Sequence, residues 1–167
     1  MGPVIATLTD ILNAIASLFK WWVIVSPWDA AIRVRLGKHT TVLGGGIHLR
    51  IPFADLFYIQ SIRLRVLHLP IQTVNTRDGK SITIGATVGY AIKDILKLYQ
   101  TLASAQDTLM NLASSNIAQC INEHDSSELS PESLSKMVDS RLSFEQYGLE
   151  SAGARITDFA ILRSYRL

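Results

Sequence analysis

The residues of this chain that could do chemistry are few, and they do not gather. The stretch "DGKS" at 78–81 ends like a nucleotide-binding phosphate loop. That loop needs a glycine five positions before Gly79, and position 74 is Val74. Gly44, Gly45 and Gly46 sit between two strand-like stretches with no helix after them, so no helix N-terminus is on hand to grip phosphate. His39, His48, His68 and His124 show neither HExxH nor other paired ligand spacing. There is no G-x-S-x-G elbow. Ser114-Ser115 and Ser126-Ser127 read as helix and loop polars, and the carboxylates are scattered along helix surfaces. The single cysteine, Cys120, excludes an intrachain disulfide and a cysteine-based metal site, and fits a reducing compartment. The expectation is a protein that is not an enzyme, with no catalytic residue, cofactor or metal.

The elements that would position a site come in two kinds. Up to residue 93 the pattern is period 2, as half-buried antiparallel strands require. In "AIRVRL", Ile32, Val34 and Leu36 are expected inward and Arg33 and Arg35 outward. "IHLRI" repeats this with Ile47, Leu49 and Ile51 inward and His48 and Arg50 outward, and "SIRLRV" with Ile62, Leu64 and Val66 against Arg63 and Arg65. "SITIGATVGYAI" puts Ile82, Ile84, Ala86, Val88, Tyr90 and Ile92 on one face, with Gly85 and Gly89 opposite, where they permit close approach or mark bulges. Asp78-Gly79 is expected at a hairpin turn. The glycine triplet reads as a corner, and Pro52 ends its strand because it has no N–H for the ladder.

From Asp94 the period becomes helical. "DILKLYQTL" is a short helix and "SAQDTLMNLASSNIAQCINEH" a longer one, with Leu109, Met110, Ala113, Ile117, Cys120 and Ile121 on its buried stripe. "SPESLSKMVDSRLSFEQYG" starts with Ser130 as N-cap and Pro131 in the first turn, and Gly148 is its expected stop. "ARITDFAIL" is a last strand. Strands, then helices, then a strand make an α+β domain.

Charge is uneven. Residues 30–103 carry ten Lys/Arg against three Asp, and residues 104–167 carry five against nine Asp/Glu. A basic front half beside an apolar N-terminus points towards anionic head groups, and the opposite charge of the halves could let neighbouring copies pack basic against acidic.

In "VIATLTDILNAIASLFKWWVIV", apolar residues recur at helical spacing, including Leu8, Ile11, Leu12, Ile15, Leu18, Phe19 and Trp22. Asp10, Asn13 and Lys20 interrupt a run that would need about 20 apolar residues to span a bilayer. An amphipathic helix lying in the interface, with Trp21, Trp22 and Trp28 at head-group depth, is weighed against a weak spanning helix and against a helix packed on the protein's own core. No basic region precedes the apolar run, and Ala6 breaks the myristoylation motif. Lys20, Arg33, Arg35 and Lys38 follow the segment, so if it touches a membrane the positive-inside tendency puts the rest of the chain on the cytoplasmic side.

The order of these pieces resembles the stomatin/prohibitin/flotillin family, the SPFH or band 7 domain. "VRLGKHTTVLGGGIHLRIPF" is similar to its opening, with Arg35-Leu36-Gly37, then Gly44-Gly45-Gly46, then Ile51-Pro52-Phe53. Thr76-Arg77-Asp78 resembles its turn, and Tyr90, Ile92 and Asp94 the end of the strand that follows. "ARITDFAIL" resembles its closing strand, so that the likeness runs from about residue 27 to 167.

The resemblance implies a membrane-associated oligomeric scaffold that organises microdomains and confines or modulates membrane proteins. The alternative is a regulatory subunit of a membrane protease or channel. Membrane lipid, anionic in kind, and copies of the same or a related subunit are the expected partners, and nucleic acid is not. The family usually carries a long assembly helix past the closing strand. This sequence ends at Arg166-Leu167 without heptads: either it is naturally minimal or only this part is represented, which tells against a closed cage and leaves side-by-side packing of domains open.

The expected organisation is an anchor at 1–26, a strand-rich subdomain at 27–93 and a helical subdomain with closing strand at 94–167. Leu8, Ile11, Leu12, Ile15, Leu18, Phe19, Trp21, Trp22 and Trp28 are the expected membrane contacts. Lys20, Arg33, Arg35, Arg50, Arg63 and Arg65 are the expected head-group or subunit contacts. Gly44, Gly45, Gly46, Pro52, Asp78 and Gly79 are the expected structural turns.

Overall fold

The computed structural model describes residues 21–162 of the chain, which fall into two compact units divided between Ile62 and Arg63.

The regular elements among the first unit's described residues are strands: β1 (Trp22–Val25), β2 (Asp29–Arg35), β3 (His39–Leu43), β4 (Gly46–Leu49) and β5 (Asp55–Ser61). β2 is the centre of an antiparallel sheet with β3 and β5 on either side, and β1 pairs with β4 in a separate antiparallel ribbon. Among its described residues Val25, Ala31, Ile32 and Asp55 are buried.

β1 corrects the helical reading of the N-terminal segment at its end. Trp22–Val25 is a strand, because an aromatic and β-branched run finds a partner in Gly46–Leu49. A short apolar run does not distinguish helix from strand by spacing alone. The remainder of the expected anchor, with Leu8, Ile11, Leu12, Ile15, Leu18, Phe19 and Lys20, lies outside the described residues. Among the described residues no helix is long and apolar enough to cross a membrane.

The second unit is built on a sheet of β6 (Arg65–Asn75), β7 (Ser81–Ile92) and β8 (Leu149–Leu162), antiparallel in the order β6-β7-β8. The buried face of β7 is Ile82, Ile84, Ala86, Val88, Tyr90 and Ile92, the face that the alternation indicates. Three helices follow β7: α1 (Ile95–Thr101), α2 (Ala105–Glu123) and α3 (Pro131–Arg141). α2 packs on β6, α3 packs on β8, and the two touch each other. The buried stripe of α2 is Leu109, Ala113, Ile117, Cys120 and Ile121. This is helix on one face of an antiparallel sheet, an α+β unit.

Local signals set the ends of these elements. The Asp94 carboxylate accepts from the backbone N–H groups of Leu96 and Lys97 at 3.0 and 3.1 Å, capping α1. Ser130 and Ser133 cap α3 reciprocally, with Pro131 at its first position. α3 stops at Arg141, short of the expected Gly148. Gly148 instead closes a single 3-10 turn, Glu145–Tyr147, in the left-handed region at φ 75°. β6 accommodates Pro70 at a register shift between Leu69 and Gln72, and as an edge strand it can spare the missing donor. Gly85 and Gly89 lie at register shifts against β8, where a Cβ on Gly85 would stand 2.7 Å from Asp158 Oδ2.

The expected boundary between 93 and 94 is therefore replaced by one at 62/63. Sequence periodicity groups β6 and β7 with the preceding strands. In the structure they pair with β8, whose residues arrive only after the helices. "SIRLRV" is not one strand either. The ladder of β5 ends at Ser61, β6 begins at Arg65, and Ile62, Leu64 and Val66 are exposed while Leu67 and Leu69 are buried.

Candidate functional site

The first unit carries an apolar surface that its own sheets leave open. In the β1–β4 ribbon Trp22 stands opposite Leu49, and Ile24 opposite Ile47. Directly opposed residues share a face, and these four are 62–75% exposed. The other face carries Val25, which is buried, and Val23 and His48, which are half-buried. Ile47 and Leu49 are thus turned outward, opposite to the inward placement expected from "IHLRI", and Ile51 is exposed as well. Alternation defines two faces but does not say which is covered, and a one-residue change of phase exchanges them. Trp21 and Trp28 are also exposed.

A second exposed apolar pair lies where β2 ends and β5 begins. Leu36 and Phe53 hold left-handed backbone, φ 52° and 66°. Leucine and phenylalanine disfavour that region, at a cost of about 1–3 kcal/mol each. Both side chains point to solvent, Phe53 91% exposed. The Leu36 N–H donates to the Ala54 carbonyl at 2.7 Å, tying the two turns together.

Beneath these turns is a buried carboxylate. Arg35 and Asp55 face each other across β2 and β5, and the guanidinium reaches Asp55 through Nε–Oδ1 at 2.7 Å and Nη2–Oδ2 at 3.0 Å. The Ile51 N–H donates to Oδ2 at 2.9 Å. The Arg35 hydrogen bond, aided by the Ile51 N–H and the charge of Arg33, outweighs burial and holds the Asp55 carboxyl at about 2. Arg33 lies two residues from Arg35 on the same face of β2, and Arg50 precedes Ile51. Among the described residues Arg33 Nε and Arg50 Nε are buried without a hydrogen-bond partner. Arg33 and Arg35 therefore do not form the simple outer face expected of them, because one of them holds a fully buried acid.

The other expected residues are spread out. Arg63 and Arg65 belong to the second unit, at the approach to and the first position of β6, whereas Arg33, Arg35 and Arg50 belong to the first. The glycine triplet joins β3 to β4. Gly46 has φ 141°, and a Cβ on Gly45 would stand 2.8 Å from Pro27 Cα. The His48 Nε2 donates to the Gly44 carbonyl at 2.7 Å. Pro52 lies in the turn before β5, after β4 has already ended at Leu49.

Asp78 and Gly79 form the β6–β7 turn, with Gly79 at φ 79°. That turn is clamped to the loop between α2 and α3. Asp78 accepts from the Ser126 N–H and hydroxyl, and Arg77 forms two parallel bonds to Asp125, at 2.9 and 2.7 Å. Hydrogen bonds from Thr76 and Ser126 keep the Asp78 carboxyl well below the usual carboxylate range.

Among the described residues no group of His, Cys, Asp and Glu is placed to hold a metal ion. The open cleft lined by Pro131, Glu132, Ser135, Lys136, Arg155 and Ile156 contains no histidine or cysteine. Sequence reasoning missed the Arg35–Asp55 pair and the outward ribbon face. The available signal was the placement of two large apolar residues, Leu36 and Phe53, at turn positions beside Gly37 and Pro52.

Comparison with known proteins agrees with this architecture. The SPFH domain / Band 7 family matches residues 23–164. An uncharacterized protein of Methanocaldococcus jannaschii is 28% identical over 116 residues, 70% of this chain and 58% of that one. Stomatin-1 of Caenorhabditis elegans is 25% identical over 131 residues, 78% of this chain and 40% of that one. A stomatin homolog of Pyrococcus horikoshii is 31% identical over 90 residues, 54% of this chain and 33% of that one. The chain spans less than two thirds of the length of each of these relatives. With the family pattern matched over most of its residues, this chain belongs to the SPFH domain / Band 7 family.

Proposed function

We propose that this protein is a membrane-associated scaffold that assembles from copies of itself or of a related subunit and organises membrane proteins around it, without catalysis. The observation that carries this reading is the open face of the β1–β4 ribbon, with Trp22, Ile24, Ile47 and Leu49 exposed together. Apolar side chains clustered on one face mark a protein or membrane contact. Each offers about 1–2 kcal/mol on transfer from water. Tryptophan at Trp21, Trp22 and Trp28 suits head-group depth. Arg33, Arg35, Lys38 and Arg50 against Asp29 and Asp55 leave the first unit's described residues basic, as an anionic leaflet favours. The N-terminal contacts Leu8, Ile11, Leu12, Ile15, Leu18 and Phe19 belong to the same proposal, with the rest of the chain on the cytoplasmic side.

Vesicle flotation tests it. Ile24→Glu with Ile47→Glu is expected to weaken binding at least about tenfold, about 1.4 kcal/mol. Leu18→Glu with Phe19→Glu is expected to free the protein further, since an acid in hydrocarbon costs roughly 2.5–3.5 kcal/mol. Unchanged flotation of both variants would reject membrane association through these surfaces.

A further inference from the structure

We propose that the free edge of β8 from Asp158 to Leu162 binds a partner polypeptide as an added antiparallel strand, whose C-terminal carboxylate enters the cleft between β8 and the start of α3, beside Lys136 and Arg155. The site lies in the second unit and does not rest on the membrane contacts proposed for the first. Three observations meet there.

The first is an edge that is protected in one half and open in the other. β8 has β7 on one side and no strand on the other. An unpaired edge offers a row of N–H and C=O groups to any extended chain, and folded proteins usually blunt it. Up to Ile156 the blunting is done by α3. The Asp139 carboxylate accepts from the Ala154 N–H, and the Ser135 hydroxyl accepts from the Ile156 N–H at 3.4 Å. Thr157 is passed over at a register shift, and from Asp158 to Leu162 the ladder with β7 is regular again. Among the described residues no helix side chain takes a backbone group of that stretch, and it contains neither proline nor lysine. The opposite edge of the sheet, β6, is blunted by Pro70 and its register shift.

The second is a cationic cleft where the edge opens. Asp139 meets Ala154 and Ser135 meets Ile156, so α3 runs antiparallel to β8 and its first turn lies beside the start of the open stretch. The cleft there, about 370 Å³, holds Lys136 and Arg155, with Glu132 as the one acid among its lining residues. Both cations are exposed, and among the described residues neither makes an ion pair. The cleft is left with one positive charge in excess, and a carboxylate is the group that takes charge-assisted bonds from an ammonium and a guanidinium together.

The third is direction. Every pairing in this sheet is antiparallel. A strand added to β8 in the same sense would run from Leu162 towards Asp158, and its C-terminal end would arrive at the cleft. Phe159 and Ile161 stand opposite Ile84 and Ile82 and share their face, and Ile161 is exposed. Apolar residues at alternate positions of the added strand would therefore have apolar neighbours. Backbone pairing supplies affinity and the cleft supplies specificity, which joins strand addition to capture of a terminal carboxylate. A second copy of β8 does not meet these terms. Pairing the stretch with itself about a two-fold axis sets Asp158 opposite Leu162 and brings no carboxylate to Lys136 and Arg155.

The test uses the full chain in mild detergent with fluorescein-labelled hexapeptides of alternating threonine and valine ending in valine, read by fluorescence anisotropy. One peptide has a free C-terminal carboxylate and the other a C-terminal amide. The acid is expected to bind at least about tenfold more tightly than the amide, the scale of one charge-assisted contact. Arg155→Gln with Lys136→Gln should weaken the acid to the level of the amide. Glu132→Gln should tighten the acid about threefold, because a like charge is gone. Methylating one alternate set of the peptide's backbone nitrogens should abolish binding, and methylating the other set should not, since only one set faces β8. Circular dichroism and the urea midpoint show that each variant is folded.

If acid and amide bind alike, or if the preference for the acid survives in Arg155→Gln with Lys136→Gln, the carboxylate cleft is refuted. If both methylation patterns bind like the unmodified peptide, strand addition is refuted. If neither peptide binds, the proposal falls. If in addition mass photometry shows a dimer that Ile161→Lys dissolves, the edge belongs to a second copy. Vesicle flotation does not depend on any of these results, so the membrane reading stands or falls separately.

Discussion

Asp78 and Ser126, 48 residues apart, bind each other twice: the Ser126 N–H donates to Oδ1 at 3.1 Å and its hydroxyl to Oδ2 at 2.7 Å. Lys80 adds its ammonium at 3.2 Å from Oδ2, and Arg77 pairs with Asp125 next to it. The turn of a hairpin is thereby fastened to a helix–helix loop, and α2 is held over the sheet at that end. Asp78→Asn keeps the shape but loses one acceptor and the charge. It is expected to lower unfolding free energy by about 1.5–3 kcal/mol, read from the urea midpoint at constant m. Arg77→Lys, at a more exposed pair, should cost no more than about 1 kcal/mol.

The Arg35–Asp55 pair predicts acid sensitivity. The folded carboxyl sits at about 2 against an ordinary 3.8, so the unfolded chain binds the proton more readily. The stabilisation is complete above about pH 4 and is lost as pH falls towards 2. Asp55→Asn should remove that part of the pH dependence and lower stability already at neutral pH. Denaturation curves at stepped pH check both. An identical acid limb in Asp55→Asn would contradict the assignment.

The glycines are not equivalent. Gly44 has open space around it, Gly45 has Pro27 backbone where a Cβ would go, and Gly148 combines φ 75° with a Cβ position against the Asp94 carbonyl. Gly44→Ala should be nearly neutral in thermal unfolding. Gly45→Ala and Gly148→Ala should each cost about 1–3 kcal/mol, from overpacking and, at Gly148, left-handed strain.

What the sequence made legible follows from the range of each interaction. β7 was readable because its alternation is unbroken over 12 residues with small residues opposite. The helices were readable because Asp94 and Ser130 announce their starts. The inward placement of Ile47 and Leu49 was not, since an alternating strand looks the same whichever side is covered. The domain boundary was not, since β8 pairs with β7 from more than 50 residues away along the chain. Arg35–Asp55 and Asp78–Ser126 join residues 20 and 48 apart, and no local spacing encodes them. The turn residues were visible as turns, but not as clamps.

Assembly offers a further check. If copies pack basic residues 30–103 against acidic residues 104–167, particle size in detergent or nanodiscs should fall as salt rises, since screening shortens to about 3 Å at 1 M. Mass photometry at low and high salt reads this directly. Size that ignores salt would remove charge complementarity as the basis of assembly.

All three tryptophans of the chain, Trp21, Trp22 and Trp28, lie in the first unit, and each is exposed. Intrinsic fluorescence therefore reports from the proposed membrane face alone, without a label. The most direct measurement is emission on adding anionic vesicles, with lipids brominated along their acyl chains as quenchers. Membrane association through this face predicts a blue shift and strong quenching, both weakened in Ile24→Glu with Ile47→Glu. Emission that neither shifts nor quenches, in a protein that circular dichroism shows to be folded, would contradict it.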